Sequence, residues 1–329
     1  MYICRRQMYD LAFTMTVKFF DKKEGTYFKK INDRVFSSNH KTVEIHNNIP
    51  RFVASESYAS AFGEQWNRFR KLQLDSYTNT HFSRKRLEQA LCDSPERVFS
   101  DKVVLEAGSG AGRFTEIIAP YCKELYTFDL SSAIDANFEN NQAEHIRFFQ
   151  ADLLDMPFED KVFDVVVCLG VLQHTPDTKR AIEELWRVVK HGGLLIADHY
   201  HFRWAYYTTV VPFYRFFLKR LNPKTSMEIV QKLVKIFFPL HWKYRHSPVG
   251  KWILGHLSPL LTNIDSFEEK GYEFNKDTSF LETYDALTDY YKRLITKKEL
   301  IQILTNLNDL STYSLKKGGN GWEFKLIKK

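Results

Sequence analysis

From Val103 onward the apolar and polar positions repeat one order: a short apolar run, a turn, then a segment with apolar residues three and four apart. Val103-Val-Leu reads as a buried strand, and Arg113 to Ala119 as a helix stopped by Pro120. Leu125-Tyr-Thr-Phe is a second strand ending at Asp129, with a helix after it over 132–141, and Ile146-Arg-Phe-Phe-Gln is a third. Phe163-Asp-Val-Val-Val-Cys-Leu is a fourth, almost wholly apolar as a central parallel strand should be. The next helix takes Pro176 into its first turn, repeats Ile182, Leu185, Trp186 and Val189, and ends at Gly192-Gly193. Leu194-Leu-Ile-Ala is a fifth strand. Strands alternating with helices predict an α/β fold with a doubly wound, mostly parallel sheet.

The flanks have other textures. Residues 1–50 carry short alternating runs such as Thr26-Tyr-Phe-Lys-Lys-Ile and Thr42-Val-Glu-Ile-His with turn signals at Gly25 and Asn47-Asn48, which predicts a small β-rich appendage. Residues 51–100 read as a helical lid or linker, with Tyr58, Phe62, Trp66 and Phe69 at helical spacing. The core is assigned to 101–199. Residues 200–295 break the strand-helix rhythm and read as a helical, aromatic insertion; Met227–Phe238 presents Ile229, Val230, Leu233, Val234 and Phe237 on one face. Residues 296–329 close the chain: Thr296-Lys-Lys-Glu299 is a capping box, and Ser311–Leu315 with Trp322–Ile327 forms an antiparallel hairpin around Gly318-Gly-Asn-Gly.

Charge changes this picture in one place. The chain of 329 residues carries a net +7. Between His201 and Thr262 ten Lys/Arg face one acid, Glu228, so this segment holds +9 and the rest of the chain −2. An anionic partner is expected there. Three readings fit the segment: a helical cap with core aromatics and solvated lysines, a surface for an anionic membrane or lipid-linked substrate, or a nucleic-acid surface. The last is disfavoured, because Cys-Leu-Gly-Val-Leu-Gln-His after the fourth strand lacks the Asn/Asp-Pro-Pro-aromatic motif that engages the amino groups of bases. Four scattered cysteines without a CxxC pair argue against zinc and disulfides, and the Met1 end has no apolar signal run, so a cytoplasmic protein is expected, with peripheral contact at the inner membrane face as an option.

The candidate chemistry sits at the strand ends. Glu106-Ala-Gly108-Ser-Gly110-Ala-Gly112 follows the first strand; its glycines let a backbone turn approach a ligand, and the next helix offers free N–H groups. A dinucleotide fingerprint would need a glycine where Arg113 stands. Asp129 can accept both hydroxyls of a ribose, and Asp152, beside Leu153, can accept from an adenine amino group. Three acids at successive strand ends suit a cationic sulfonium and would repel a pyrophosphate.

These segments, together with Asp129-Leu-Ser-Ser, Gln150-Ala-Asp-Leu-Leu-Asp-Met-Pro-Phe and Leu-Trp-Arg-Val-Val-Lys-His-Gly-Gly, resemble the ordered motifs of Rossmann-like class I S-adenosylmethionine (SAM)-dependent methyltransferases of the type 11 kind over 103–198. The resemblance implies SAM as cofactor, S-adenosylhomocysteine as product and no metal. It implies that Gly108, Gly110 and Gly112 pass under the methionine part, that Glu106 orders that end, that Asp129 and Asp152–Leu153 take the nucleoside, and that Leu169-Gly170 line the floor near the methyl group. Ala61–Ser76, Leu281–Tyr291 and Gly318-Gly-Asn-Gly are similar to a bacterial subgroup associated with surface-glycan or lipid-linked biosynthesis, many of whose members begin with a cysteine zinc ribbon; only Cys4 stands in that region here. A small-molecule or lipid-linked acceptor, methylated at oxygen, is therefore expected. His174 is the candidate base, with a helix cap as its alternative role, and Phe62, Gln65, Trp66, Tyr200, His201, Tyr284 and Asp285 are candidate lid or acceptor residues. The rival readings are a non-catalytic SAM-binding scaffold and an NAD-dependent oxidoreductase on a similar fold. Oligomeric state is not legible.

Overall fold

The computed structural model describes residues 15–39, 41–53 and 60–329; the side chains of 60–62 and 64 lie outside that description, as do Cys4 and Tyr58. Six short strands open it: β1 (Phe20–Asp21), β2 (Thr26–Tyr27), β3 (Lys29–Asn32), β4 (Val35–Ser37), β5 (Thr42–His46) and β6 (Ile49–Arg51). Helices α1 (Ser60–Arg68), α2 (Asp75–Thr78), α3 (Phe82–Leu91) and α4 (Pro95–Phe99) lead into the core. The core runs β7 (Val103–Ala107), α5 (Thr115–Ile118), β8 (Glu124–Asp129), α6 (Ala133–Asn140), β9 (Ile146–Gln150), β10 (Phe163–Cys168), α7 (Thr178–Val188) and β11 (Val189–Tyr200). Then come α8 (Val211–Leu218), α9 (Pro223–Lys243), α10 (Pro248–Leu257), α11 (Ile264–Phe267) and α12 (Gly271–Thr288). The chain closes with α13 (Lys297–Thr305) and the hairpin β12 (Leu310–Lys317) and β13 (Gly321–Lys328).

One mixed sheet of eleven strands holds the order β12-β13-β11-β10-β7-β8-β9-β6-β5-β4-β3. The strands β11-β10-β7-β8-β9 pair in parallel, and β13 adds antiparallel to β11. The chain order reverses between β7 and β10, which opens a crevice beyond their carboxyl ends. Alternation fills both faces. Val103 and Leu105 point to the side covered by α7 and α13 (Ile182, Leu185, Leu300, Leu304), while Val104 points to the side covered by α3 to α6 (Leu87, Leu91, Phe99, Ile117, Ile134).

Several expectations change. The β-rich N-terminal region is not set apart from the core: β6 pairs in parallel with β9 through Arg51 and Gln150, so β3–β6 extend the main sheet. Asn47 and Asn48 both take positive φ (53° and 64°), the turn that a tight β5–β6 hairpin requires. Within 51–100, α3 and α4 cover the sheet rather than forming a lid. The helix after β7 is only one turn long. The helix after β10 is capped by Asp177, whose side chain accepts from Arg180 N, and stops at Val188, four residues before Gly192. The capping box at Thr296 and Glu299 forms with both of its bonds.

The insertion α8–α12 has its own core around Val230, Val234, Phe238, Phe280 and Tyr284. In α9 the residues Met227, Val230, Val234 and Phe238 are buried, while Ile229, Leu233 and Phe237 pack partly against that core. The aromatic residues of the insertion divide: some are core, and many are not, as set out below.

Candidate functional site

A cavity of about 200 Å³, open on one side, lies across the carboxyl ends of the parallel strands, from Asp152 beyond β9 to Tyr200 at the end of β11. Its floor is the loop after β7. Gly108 and Ser109 donate their N–H groups to Phe128 O (2.8 and 3.0 Å), and Gly110 N donates to Asp129 Oδ2 (2.9 Å). Gly108, Gly110 and Gly112 all have positive φ (74°, 55° and 90°), which side chains rarely adopt. Their roles differ. Gly108 and Gly110 line the cavity, whereas Gly112 does not: a Cβ there would run into Asn137 and Asn141, so this glycine lets the loop close onto α6.

Glu106 also lies off the cavity wall. It is buried beneath the loop, where Oε2 accepts from Thr115 Oγ1 (2.5 Å) and Thr127 Oγ1 (2.9 Å). Asn137 Nδ2 donates in turn to both threonine oxygens. Burial pushes the Glu106 carboxyl up to about 7, against the two threonine bonds that lower it. Glu106 therefore buttresses the loop from below.

At the β8 and β9 end of the cavity, Asp129 faces the space with Oδ1 accepting from Ser131 N (2.9 Å) and Ser131 Oγ (2.7 Å). Burial raises its carboxyl above the ordinary range, and these bonds oppose the rise. Oδ1 already accepts two bonds, whereas Oδ2 accepts only from Gly110 N and has a second lone pair left for a ligand hydroxyl. Asp152 accepts from Leu154 N through Oδ1 (2.9 Å) and lines the wall with Ala151 and Leu153. Leu169 and Gly170 lie on the floor past β10. Gly170 N is fixed by Asp198 Oδ1 (2.6 Å), whose Oδ2 meets Arg86 (2.5 Å) and Asn320 Nδ2 (3.2 Å). Arg86 also pairs with buried Glu323, so the far hairpin and α3 lock the floor.

The β11 end is built differently. His174, in a 3-10 turn after β10, lines the wall with Nδ1 3.1 Å from Asp289 Oδ2 and 3.3 Å from Tyr291 O. Asp289 accepts from Arg215 Nε (2.6 Å) and has Lys292 Nζ 3.6 Å away. Burial would raise this carboxyl, but Lys292, His174 and Arg215 hold it below the ordinary range. An ionised acid at Nδ1 fixes the proton there and leaves Nε2 as the basic nitrogen. Glu282 and Asp285, one turn apart on α12, also line the cavity. Burial and the neighbouring Asp285 push Glu282 up to about 7, and burial raises Asp285. Arg113 lines the cavity near Gly170, and burial and Arg86 pull its guanidinium down while Glu282 and Asp198 pull it up.

Among the other expected residues, Gln65 and Trp66 of α1 line the cavity; Trp66 lies over Gly110, 3.5 Å from where a Cβ would stand. The side chain of Phe62 lies outside the described residues. Tyr200 lines the cavity with Lys292 Nζ 5.1 Å from its ring centre. His201, the next residue, does not: strand alternation turns it to Trp322 and Arg203. Tyr284 is also off the cavity. It is wholly buried in the insertion core, with its hydroxyl donating to Pro223 O (3.2 Å). Sequence reasoning missed Arg113, Asp198, Glu282, Asp289 and Asn320. Only Glu282 carried a readable signal, an acid three residues before Asp285.

The class this core belongs to is that of class I SAM-dependent methyltransferase domains: residues 105–197 match the family model for the methyltransferase domain. The chain is similar to the uncharacterized methyltransferase YcgJ of Bacillus subtilis (strain 168), 32% identical over 102 residues, 30% of this chain and 40% of that protein. It is also similar to the ubiquinone biosynthesis O-methyltransferase of Coxiella burnetii (strain RSA 493 / Nine Mile phase I), 30% identical over 135 residues, 40% of this chain and 56% of that one. The solved structure of the N-methyltransferase NodS from Bradyrhizobium japonicum WM9, in complex with S-adenosyl-L-homocysteine, superposes with a TM-score of 0.38 at 16% identity, covering 75% of this chain and 85% of that one. The chain thus spans 40% of the length of YcgJ and 56% of that of the Coxiella enzyme.

Proposed function

We propose that the whole protein is a SAM-dependent methyltransferase that methylates a hydroxyl of a small-molecule or lipid-linked acceptor. The observation that carries this reading is the asymmetry of the cavity, with the acids Asp129 and Asp152 at the β8 and β9 end and a histidine-aspartate pair at the β11 end. The residues fit SAM. Gly108 packs against Val171 and Gly110 under Trp66, which brings the loop backbone to the cavity; Asp129 and Asp152 offer acceptors for ribose and adenine, and Arg113 offers a cation for the methionine carboxylate. When bound, SAM supplies an electrophilic methyl group on a sulfonium.

The chain's own residues do the rest. His174, with Nδ1 held by Asp289, can take the proton of an acceptor hydroxyl at Nε2. Leu169, Leu281 and Trp66 bound the space and reduce the water in it. Among the described residues, Glu282 and Asp285 make no side-chain hydrogen bond or ion pair, and Gln65, 1% exposed, leaves Oε1 without a partner. Three sets of acceptor atoms without donors suit a ligand rich in hydroxyl or amine donors, which supports a glycan-like acceptor.

The test is incubation with methyl-labelled SAM and, separately, a total lipid extract and a polar metabolite extract. The expected result is labelled product in one extract, with His174→Ala slowing labelling by about 100-fold at nearly unchanged SAM affinity. Binding of SAM with no label in either extract would favour the scaffold reading. An unchanged rate in the variant would remove His174 as the base.

A further inference from the structure

The insertion presents an apolar surface that the methyltransferase reading does not use. Of 21 large hydrophobic residues exposed among the described residues, 14 fall between Trp204 and Leu261. They are ordered by element. In α8, Val211, Arg215 and Leu218 are buried, while Phe213, Phe216 and Phe217 are 65%, 56% and 53% exposed on the other face. The helix α10 buries none of its residues, and Val249, Trp252, Ile253 and Leu257 form an exposed stripe at helical spacing. On α9, Ile236, Leu240 and Tyr244 repeat every four residues, also exposed. The hydrogen bond from Val210 N to His256 O (3.1 Å) ties the start of α8 to the end of α10.

Basic residues accompany this surface. Of the ten Lys/Arg in the segment, Arg215, Arg245 and Lys251 are paired with Asp289, Glu268 and Asp265. The other seven have no acidic partner among the described residues, and Arg220, Lys224, Lys232, Lys235 and Lys243 are exposed. We propose that this face, built from α8, α9 and α10, docks on an anionic lipid bilayer, with its aromatic and aliphatic side chains in the interfacial zone and its lysines on the headgroups. Exposed aromatic residues with lysines at their flanks are the chemistry of an interfacial helix. Charge complementarity selects the occupant. A second copy bound symmetrically would bring two strongly basic faces together, which repel. An anionic lipid surface attracts them. No helix among the described residues is long and apolar enough to cross a membrane, so the contact is peripheral.

Helix α8 also links this surface to the cavity wall. Helix α8 carries the exposed phenylalanines on its outer face and Arg215 on its inner face, and Arg215 bonds Asp289, the partner of His174. A docked protein would therefore hold its acceptor end near the lipid headgroups.

The experiment is flotation of the full chain with vesicles of pure phosphatidylcholine and with vesicles containing about 30% phosphatidylglycerol. The expected result is binding to the anionic vesicles about tenfold or more tighter than to the neutral ones, weakened by high salt. The triple variant Phe213→Ser, Phe216→Ser, Phe217→Ser should lose that binding, and Lys232→Glu with Lys235→Glu should lose the preference for phosphatidylglycerol. Unchanged SAM affinity in both variants shows that they fold. No binding to either vesicle, or equal binding to both, overturns the proposal. So does a dimer in solution that the triple variant turns into a monomer, which would assign the face to a second copy. None of these readouts depends on methyl transfer, so the proposal and the catalytic reading can fail separately.

Discussion

Two buried carboxylic acids near the cavity are treated in opposite ways by their surroundings. Asp289 sits among Arg215, Lys292 and His174 and stays ionised, so it can orient a histidine. Glu106 is bonded by the Thr115 and Thr127 hydroxyls, and burial holds it up to about 7 against these bonds and the charge of Arg113. The consequence for stability has a definite sign. Unfolded, the Glu106 group titrates near 4.5, so between 4.5 and about 7 the folded state keeps a proton that the unfolded state has lost. Glu106 therefore costs stability as pH rises through that window, by about 3 kcal/mol in full. Glu106→Gln imitates the protonated form. Its denaturation midpoint should match the wild type near pH 4 and exceed it near pH 8, by roughly that free energy. Equal midpoints at both pH values would mean that the folded carboxyl is ionised. The acid of the glycine loop was visible in the sequence, but its position below the loop was not, because Thr115 and Thr127 come to it from separate elements.

Helix α12 shows why individual site residues were partly misread. Tyr284 and Asp285 are neighbours in sequence, yet successive helical residues point about 100° apart. One enters the insertion core and the other the cavity. The residues that share the cavity side are Glu282 and Asp285, and Asp289 follows one turn later at the helix C-cap. Its partner, Arg215, is 74 residues away in sequence, which no local pattern reveals. If His174 is the base, as proposed, Arg215 positions it through Asp289. Replacing it with Met leaves Asp289 short of its main ion pair in a buried place and should destabilise the fold by about 3 kcal/mol or more. Turnover should fall while SAM affinity holds, and Arg215→Lys should recover part of the turnover. Loss of SAM affinity in step with turnover would instead indicate a general loosening of the cavity. The capping box of α13 and the β12–β13 hairpin, by contrast, were fully legible, because their signals lie within a few residues of one another.

At the scale of the whole molecule, the parallel core could be read from periodicity because β7, β8 and β10 are each followed by a helix. The extension of the sheet through β6 could not, since it depends on Arg51 pairing with Gln150, about a hundred residues further on. The aromatics of the insertion gave the same difficulty. Their composition fitted a core and a surface equally, and only the packed helices show Phe238 and Tyr284 inside with Phe213 and Trp252 outside. The result is one molecule with a crevice across the strand ends, a wall of that crevice formed by α12, and a basic apolar face joined to that wall through α8. The claim on which the rest depends is that the crevice takes SAM. Titration calorimetry of the intact protein with SAM and, separately, with NAD tests it directly. The expected result is a single SAM site whose affinity drops by about tenfold or more in Asp129→Ala, with no heat from NAD. Binding of NAD without binding of SAM would contradict it.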